Sequence, residues 1–379
     1  MNEDKATKYH RLKRTVGIVS LGWSALLLVV LSGTGASLGL RDAAETLAGS
    51  TARVFHEPLI VGIYVLLLTL VNEIGGLPLA IYAGFVIERR YGLSNQTLGN
   101  WLLDQFKALV VGLILGVAAA SIVYFFIRRD PDGWWLPTGI VFALLIVGLA
   151  NLGPVLLLPI FYSFKPLQRD ALTARLMSLA ERAGARVLGV YEWGLASKTK
   201  KANAALTGLA STRRILVSDT MLADYSDEEI EIVLAHELAH HVHGDIWKGL
   251  VFESGLMLAG FFAASRVLGR SAGSLGLSGP ADVAGLPLLL LVAGAVSLLT
   301  VPLAHAWSRA HERSADRFAL ELTRNPTAFI SAMRRLGAQN LAEERPSRIV
   351  QWLFYSHPPL RERIAAAQQY GAQGPGRAL

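Results

Sequence analysis

The chain has 379 residues, of which 52% are hydrophobic and 17% charged, with a formal net charge of +7 and no cysteine. A mean hydropathy of +0.40 is high for a soluble protein and indicates a membrane protein. The lack of cysteine excludes disulfides and thiolate metal ligands, and the lack of interleaved aromatic and basic residues argues against a nucleic-acid partner.

Long apolar stretches are the dominant pattern. Each approaches or exceeds the roughly 20 residues that a helix needs to cross a bilayer. The six stretches are Thr15 to Leu40, Pro58 to Ile87, Phe106 to Ile127, Leu136 to Phe161, Gly249 to Leu268 and Ala284 to Ala306. The pattern predicts a multi-pass, predominantly α-helical membrane protein.

Basic residues at the N-terminus predict its orientation. Lys5, Lys8, Arg11, Lys13 and Arg14 precede the first apolar stretch and place the N-terminus in the cytoplasm. An uncleaved anchor is favoured over a signal peptide, because the apolar run is long and further spans follow. Six spans return the C-terminus to the same side, so the polar segments that carry the chemistry are expected to be cytoplasmic.

A polar segment from about Ser163 to Lys248 separates the fourth and fifth spans. It opens with leucines at helical spacing around Leu176. Short strands are then predicted at Arg186 to Trp193 and Arg213 to Ser218, with Lys201 to Gly208 considered as a third. The segment is therefore expected to form a small mixed α/β unit.

The sequence His236-Glu237-Leu238-Ala239-His240 closes this segment. On a helix the two histidines lie on one face, so their imidazoles can bind one zinc ion. The adjacent Glu237 can then act as a general base toward a water molecule that the metal activates. Ser226 and Glu229 form a capping-box pattern upstream, which predicts that the motif lies on a helix.

A catalytic zinc keeps three protein ligands, and without cysteine the third must be Asp, Glu or His. The candidates are Asp245, Glu253, His305, His311, Glu312 and Asp316. Asp245 follows the motif too closely to reach the metal easily. Glu312 is favoured, because it lies on a polar helix predicted from Ser308 to Leu322, where Asp316 could hold the second N–H of a ligating histidine. The alternative is that both acids belong to a solvated helix face.

The motif pattern Ser-Arg-x-x-Glu-x-x-Ala-Asp at 308–316, after a His-Glu-x-x-His helix, resembles the integral-membrane zinc proteases of the CAAX prenyl protease type I family. Other segments agree with this resemblance from the second span onward. They are Leu77-Pro78, Phe85 to Glu88, Tyr91 to Thr97, Asn203-Ala204, Arg214 to Val217 with Asp219-Thr220, and Ser356 to Arg363.

The resemblance implies roles for the residues around the motif. His236, His240 and Glu312 would bind one Zn²⁺ per chain, Glu237 would be the catalytic base, and Asp316 would support a ligand from outside the coordination sphere. The implied fold is a ring of about six or seven membrane helices around a large chamber, with a zincin-like protease domain that carries a small β-sheet.

The resemblance also implies residues for the substrate. His357 would act in catalysis near the scissile carbonyl, and Asn203, Ala204 and Arg363 would contact an extended peptide. The implied function is a membrane zinc metalloendopeptidase that processes the C-terminus of prenylated CAAX proteins. Its partners would be a peptide or protein substrate, lipidated or not, and the lipid bilayer, with no nucleic acid.

The predicted organisation alternates membrane and polar regions. Residues 1–162 form an N-terminal membrane region, and 163–248 form the first part of the protease domain. A membrane helix pair at 249–306 separates this part from the second, at 307–370, and residues 371–379 are expected to be a disordered tail.

Two alternatives remain open from the sequence. Within the same chemistry, the chain could be a quality-control protease of the HtpX-like group, although the long N-terminal membrane region favours the prenyl protease group. In a different class, it could be a zinc carrier or channel with His and Glu lining a path between helices.

Overall fold

The computed structural model describes residues 2–50, 53–208 and 213–373. Within these ranges the helices are α1 (Asn2–Gly33), α2 (Ala36–Ala48), α3 (Arg53–Ile81), α4 (Ile87–Arg90), α5 (Leu98–Arg129), α6 (Trp135–Leu156), α7 (Leu158–Phe161), α8 (Asp170–Arg182), α9 (Asp219–Asp224), α10 (Asp227–Val242), α11 (Asp245–Ser271), α12 (Leu286–Thr323), α13 (Pro326–Gln339), α14 (Arg348–Phe354) and α15 (Leu360–Gln373). A π-helical turn at Tyr82–Val86 joins α3 to α4, and a 3₁₀ turn at Val283–Gly285 precedes α12.

Six helical segments of the described chain are long and apolar enough to cross a membrane, which confirms the six predicted spans. They are Lys5–Gly33, Phe55–Arg90, Leu98–Arg129, Trp135–Phe161, Asp245–Ser271 and Val283–Thr323. The first ends earlier than the predicted Leu40. Gly35 adopts a φ of 75°, a left-handed conformation that suits glycine, and the separate helix α2 starts immediately after it.

Helix α12 unites two predicted elements. The sixth span and the polar helix predicted from Ser308 form one continuous helix of 38 residues. Pro302 lies inside it without ending it, as membrane helices tolerate. The helix ends at Thr323, just before Asn325-Pro326, the stop signal expected from the sequence. The polar part of α12 is therefore a direct extension of a membrane span.

Four short strands form one mixed sheet in the order β1-β2-β4-β3. They are β1 (Phe164–Pro166), β2 (Val190–Trp193), β3 (Ala204–Thr207) and β4 (Arg214–Ser218). Strands β2 and β4 are parallel, and the outer strands pair antiparallel to them. The three predicted strands are present, whereas β1 was not predicted, since three residues are too few to show alternation. Strand β3 lies at one edge of the sheet.

The two polar segments share one hydrophobic core. Buried residues from the sheet, α8, α10, α12, α13 and α15 form a single cluster that includes Val217, Ile230 and Phe329. Helix α10 lies in its middle, so apolar residues cover most of its surface. The segments before and after the fifth and sixth spans therefore fold as one unit.

The first turns of α1 contact this unit. The Tyr9 hydroxyl donates to Glu88 at 2.6 Å, and Arg14 donates to Glu343 at 2.6 Å. The N-terminus therefore lies at the same end of the helix bundle as the polar segments. At the other terminus, residues 371–373 of the predicted tail form the end of α15, and 374–379 lie outside the described residues.

The predicted capping box at the start of α10 is present. The Ser226 side chain accepts from the Glu229 amide at 3.3 Å, and the Glu229 side chain accepts from the Ser226 amide at 2.9 Å. Ser226→Ala leaves a helix-terminal N–H without its acceptor, and we expect a loss of about 1 kcal/mol in the free energy of unfolding.

This loss corresponds to a fall in Tm of about 2 °C, measurable by thermal unfolding of the detergent-solubilised protein. Ser178→Ala on the exposed face of α8 is the matched control and should leave Tm unchanged. An unchanged Tm in Ser226→Ala would contradict a stabilising cap.

Candidate active site

Helix α10 presents His236 and His240 side by side. The residues are one turn apart, and their rings meet edge to face with centroids 5.0 Å apart. His236 is buried and His240 is half-buried. Because α10 is capped at its start and packed in the core, the two imidazoles are held on a rigid support.

Helix α12 brings a carboxylate opposite the two imidazoles. Glu312 Oε2 lies 3.2 Å from His236 Nε2, and Glu312 Oε1 lies 3.5 Å from His240 Nε2. One potential ligand atom from each of the three residues lies within 4.8 Å of the others. Glu312 is only 6% exposed. Of the third-ligand candidates, Glu312 is the one that the fold brings to the Nε2 atoms of both histidines.

The cluster fits a divalent metal ion. Glu312 Oε2 is buried and has no hydrogen-bond partner among the described residues, although it faces the His236 ring. Burial lowers the pKa of His236, but the neighbouring carboxylates of Asp316 and Glu312 raise this pKa more strongly, to about 9. The surroundings of this ring therefore favour a positive charge, and two imidazole nitrogens with one carboxylate form a three-ligand catalytic set.

A second carboxylate contacts each histidine from behind. His236 Nδ1 lies 2.9 Å from Asp316 Oδ1, as the sequence analysis anticipated. His240 Nδ1 lies 3.1 Å from Asp245 Oδ2. His240 Nδ1 donates a hydrogen bond to Asp245, and the Asp316 carboxylate lies at ion-pair distance from His236 Nδ1, so both contacts leave Nε2 as the nitrogen that faces a metal.

The contact made by Asp245 was missed from the sequence. The sequence offers Asp245 as a ligand candidate, but its closeness to the motif argues against its reaching the metal. The structure shows why this proximity matters: Gly244 adopts a φ of 66°, which breaks the helix and turns Asp245 back toward His240. Asp245 also contacts Lys248 at 3.1 Å and His311 at 3.5 Å. In the sequence, Gly244-Asp245 shortly after the motif is the feature that could have indicated this contact.

Glu237 lies next to the ligand pair on α10. Burial raises the pKa of its carboxyl group, and the charges of His236 and His240 oppose this shift. A carboxylate with a raised pKa is a better proton acceptor, which suits a general base. Glu237 is half-buried, so water can approach it.

The segment between α14 and α15 reaches the same cluster. His357 Nε2 lies 3.2 Å from Glu312 Oε1, and its side chain is 59% exposed. Arg363, predicted to contact substrate, makes a bidentate pair with Asp316 through its guanidinium at 2.8 and 2.5 Å. The guanidinium also lies 3.4 Å from His236 Nδ1. Arg363 therefore has a partner inside the protein, behind the ligand histidine.

The predicted substrate residues on β3 lie at the edge of the sheet. The Asn203 carbonyl accepts from the Ser218 amide at 2.9 Å. This bond shows which residues of β3 are hydrogen-bonded to β4, because such pairs alternate along an antiparallel ladder. By the alternation of an antiparallel pair, Ala204 and Leu206 direct their backbone N–H and C=O groups away from β4. Ala204 is buried and Leu206 is half-buried, so the accessible part of this edge lies at Leu206.

The remaining ligand candidates lie apart from this cluster. Glu253 lines a cavity of about 350 Å³ between α11 and α12. His311 contacts Asp245. His305 lies further up α12, within the span. None of these three belongs to the metal-binding group found among the described residues.

In comparisons with known proteins, each half of the chain matches a family model. Residues 166–370 match the model of peptidase family M48. Residues 2–163 match the model described as the CAAX prenyl protease N-terminal region with five membrane helices.

Individual relatives agree with these matches. An uncharacterized metalloprotease, YhfN, of Bacillus subtilis is 30% identical over 81% of this chain and 72% of its own length. CAAX prenyl protease 1 of Saccharomyces cerevisiae is 29% identical over 79% of this chain and 70% of its own. The crystal structure of S. mikatae Ste24p superposes with a TM-score of 0.82 at 24% identity, over 97% of this chain and 88% of that one, which shows a shared fold.

Removal of Glu312 tests the metal centre. We expect Glu312→Ala to lose metal, because two imidazoles alone cannot complete the three-ligand set. The metal content of the purified protein is the measurement. Glu321→Ala, on the exposed face of the same helix, is the control and should keep one ion per chain. Full occupancy in Glu312→Ala would place the third ligand elsewhere.

Asp245→Asn tests the contact behind His240. The amide is a poorer acceptor for the Nδ1 proton, so we expect zinc affinity to fall roughly 10–100-fold. Zinc titration in competition with a chelator measures this change. Lys248→Gln removes another neighbour of Asp245 but keeps the histidine contact, so its affinity should match the unmodified protein. Equal affinities in all three proteins would show that Asp245 does not support the ligand.

Proposed function

The chain belongs to peptidase family M48, and from this membership we propose that it is a zinc endopeptidase acting on peptides at the cytoplasmic face of a membrane. It is a multi-pass membrane metallopeptidase that resembles the enzymes of CAAX processing. The observation that carries the proposal is the convergence of His236, His240 and Glu312, with Glu237 beside them on α10.

Zinc is the proposed ion, bound by His236, His240 and Glu312. Two histidines and one carboxylate are a known catalytic zinc set, and a chain without cysteine has no thiolate to favour softer metals. When bound, zinc lowers the pKa of water toward neutrality and polarises a carbonyl group. Asp316 and Asp245 would hold the ligand rings in orientation.

The chain's own residues would move the protons and hold the substrate. Glu237 would accept a proton from the attacking water and deliver it to the leaving nitrogen. His357, whose Nε2 lies beside Glu312, would donate a hydrogen bond to the oxygen of the scissile carbonyl as negative charge develops on it. Arg363 would act through Asp316, because its guanidinium is paired with that carboxylate.

An extended peptide would bind along β3. The outward backbone groups of Leu206 can continue the sheet through main-chain hydrogen bonds, and the exposed Asn203 side chain lies just before the start of that edge. Because relatives are named CAAX prenyl protease 1, we include C-terminal peptides with an attached lipid among the proposed substrates.

The proposed orientation follows from charge. Basic residues of α1 lie at the same end of the bundle as the metal-binding cluster, so retention of these residues in the cytoplasm would place the site there. We further propose that residues 163–248 and 307–370 form one protease domain, divided by the helix pair at 249–306. The hydrophobic core that the two segments share supports their assignment to a single domain.

Cleavage of a fluorogenic peptide by the purified protein in detergent, with and without a chelator, tests the function. Glu237→Gln should retain stoichiometric zinc and lose activity about a hundredfold to ten-thousandfold, because the amide cannot accept the proton. Glu231→Gln is the control on the same helix, where the acid pairs with Arg175 and Arg182 away from the site.

The contrary outcomes are distinct. Near-normal turnover in Glu237→Gln would overturn the assignment of the base. Chelator-insensitive cleavage would overturn the metal mechanism. Metal flux in liposomes without any cleavage would favour the zinc-carrier alternative.

A further inference from the structure

Tyr355 is the last residue before the Ser356-His357 segment, and its backbone is fixed to α12. Arg309 donates to the Tyr355 carbonyl at 2.6 Å and to the Gln351 carbonyl at 3.1 Å. Arg309 is only 8% exposed, so these two bonds are shielded from water. They hold the end of α14 beside the helix that carries Glu312.

The side chain of Tyr355 is fixed to a different element, the first membrane helix. Its hydroxyl donates to Glu343 Oε2 at 2.5 Å, and Arg14 of α1 donates to the same oxygen at 2.6 Å and to the hydroxyl at 3.2 Å. Glu343 is 7% exposed. Burial and the neighbouring Glu343 raise the pKa of Tyr355, so the hydroxyl remains a donor.

His357 has little packing of its own. Its side chain is largely exposed, and its polar contacts among the described residues are Ser356 Oγ at 2.9 Å from Nδ1 and Glu312 Oε1 at 3.2 Å from Nε2. The ring position therefore depends on the backbone on either side of it. Pro358 and Pro359, which follow, are buried, and the segment that precedes it is held through Tyr355.

We propose that Arg14, Glu343 and Tyr355 form a positioning network through which the first membrane helix sets the location of His357 in the site. This inference rests on the catalytic role of His357 within the proposed function. A small displacement of a hydrogen-bond donor from the developing charge lowers turnover steeply, so the network should affect catalysis without touching the substrate.

A purely structural role is the competing explanation, in which the network only holds α1 against the protease domain. The structure offers a matched case: the Tyr9 hydroxyl donates to Glu88 at 2.6 Å and accepts from Lys201 at 3.1 Å. This is also a tyrosine–glutamate–cation contact that joins α1 to other elements, but it does not lead to His357.

The kinetic test is a double-mutant cycle on peptide cleavage. We expect Tyr355→Phe to lower kcat about tenfold with little change in KM, since substrate is not contacted. His357→Ala should lower kcat about a hundredfold to a thousandfold. If Tyr355 acts through His357, the double variant will be no slower than His357→Ala. Tyr9→Phe should stay within about twofold of the unmodified enzyme.

A second measurement does not depend on activity. The chain contains no cysteine, so His357→Cys can carry a single spin label. Tyr355→Phe in this background should increase the mobility of the label, whereas Tyr9→Phe should leave it unchanged. Equal label mobility in both variants would overturn the inference.

The possible failures are separable. Multiplicative effects of Tyr355→Phe and His357→Ala would overturn the network as a positioning device and leave the peptidase intact. A fully active His357→Ala would remove the catalytic role of His357 and the inference with it. If the unmodified protein cleaves no peptide, the proposed function is wrong, and the label mobility still decides whether Tyr355 positions residue 357.

Discussion

The meeting of α10 and α12 is the contact on which the rest of the structure depends. Glu312 is a buried carboxylate, and a buried charge is tolerated only where groups of opposite charge or strong donors face it. His236, His240 and His357 all lie within 3.5 Å of its oxygens. One membrane span, α11, lies between the two helices in the chain, and α12 is itself the continuation of a span, so both spans must pack correctly for the three residues to meet.

A set of supporting contacts surrounds this cluster and reaches several parts of the fold. Asp316 is held by Arg363 from the last helix, and Asp245 is turned toward His240 by the glycine that ends α10. The segment before His357 is held by Arg309 and, through Tyr355, by α1. Membrane helices therefore contribute to the geometry of the site as well as to its location.

Local signals explain which elements were predictable. The apolar runs, the capping box at Ser226 and the spacing of His236 and His240 each act within one or two helical turns, and all were read from the chain. Features that depend on distant partners were not. Strand β1 exists only because β2 pairs with it, and the pair of Arg363 with Asp316 joins residues 47 positions apart in the chain.

The sequence by itself therefore determined the class of protein, the number of candidate spans and the placing of His236, Glu237 and His240 on one helix, because periodicity and composition act over short distances. The tertiary structure decided that α12 continues unbroken from membrane to site, that Glu312 faces the imidazoles, and that Asp245 supports one of them. These outcomes depend on the packing of elements far apart in the chain. The free energy that stabilises these contacts comes from burial and from the pairing of charges, which no local pattern encodes.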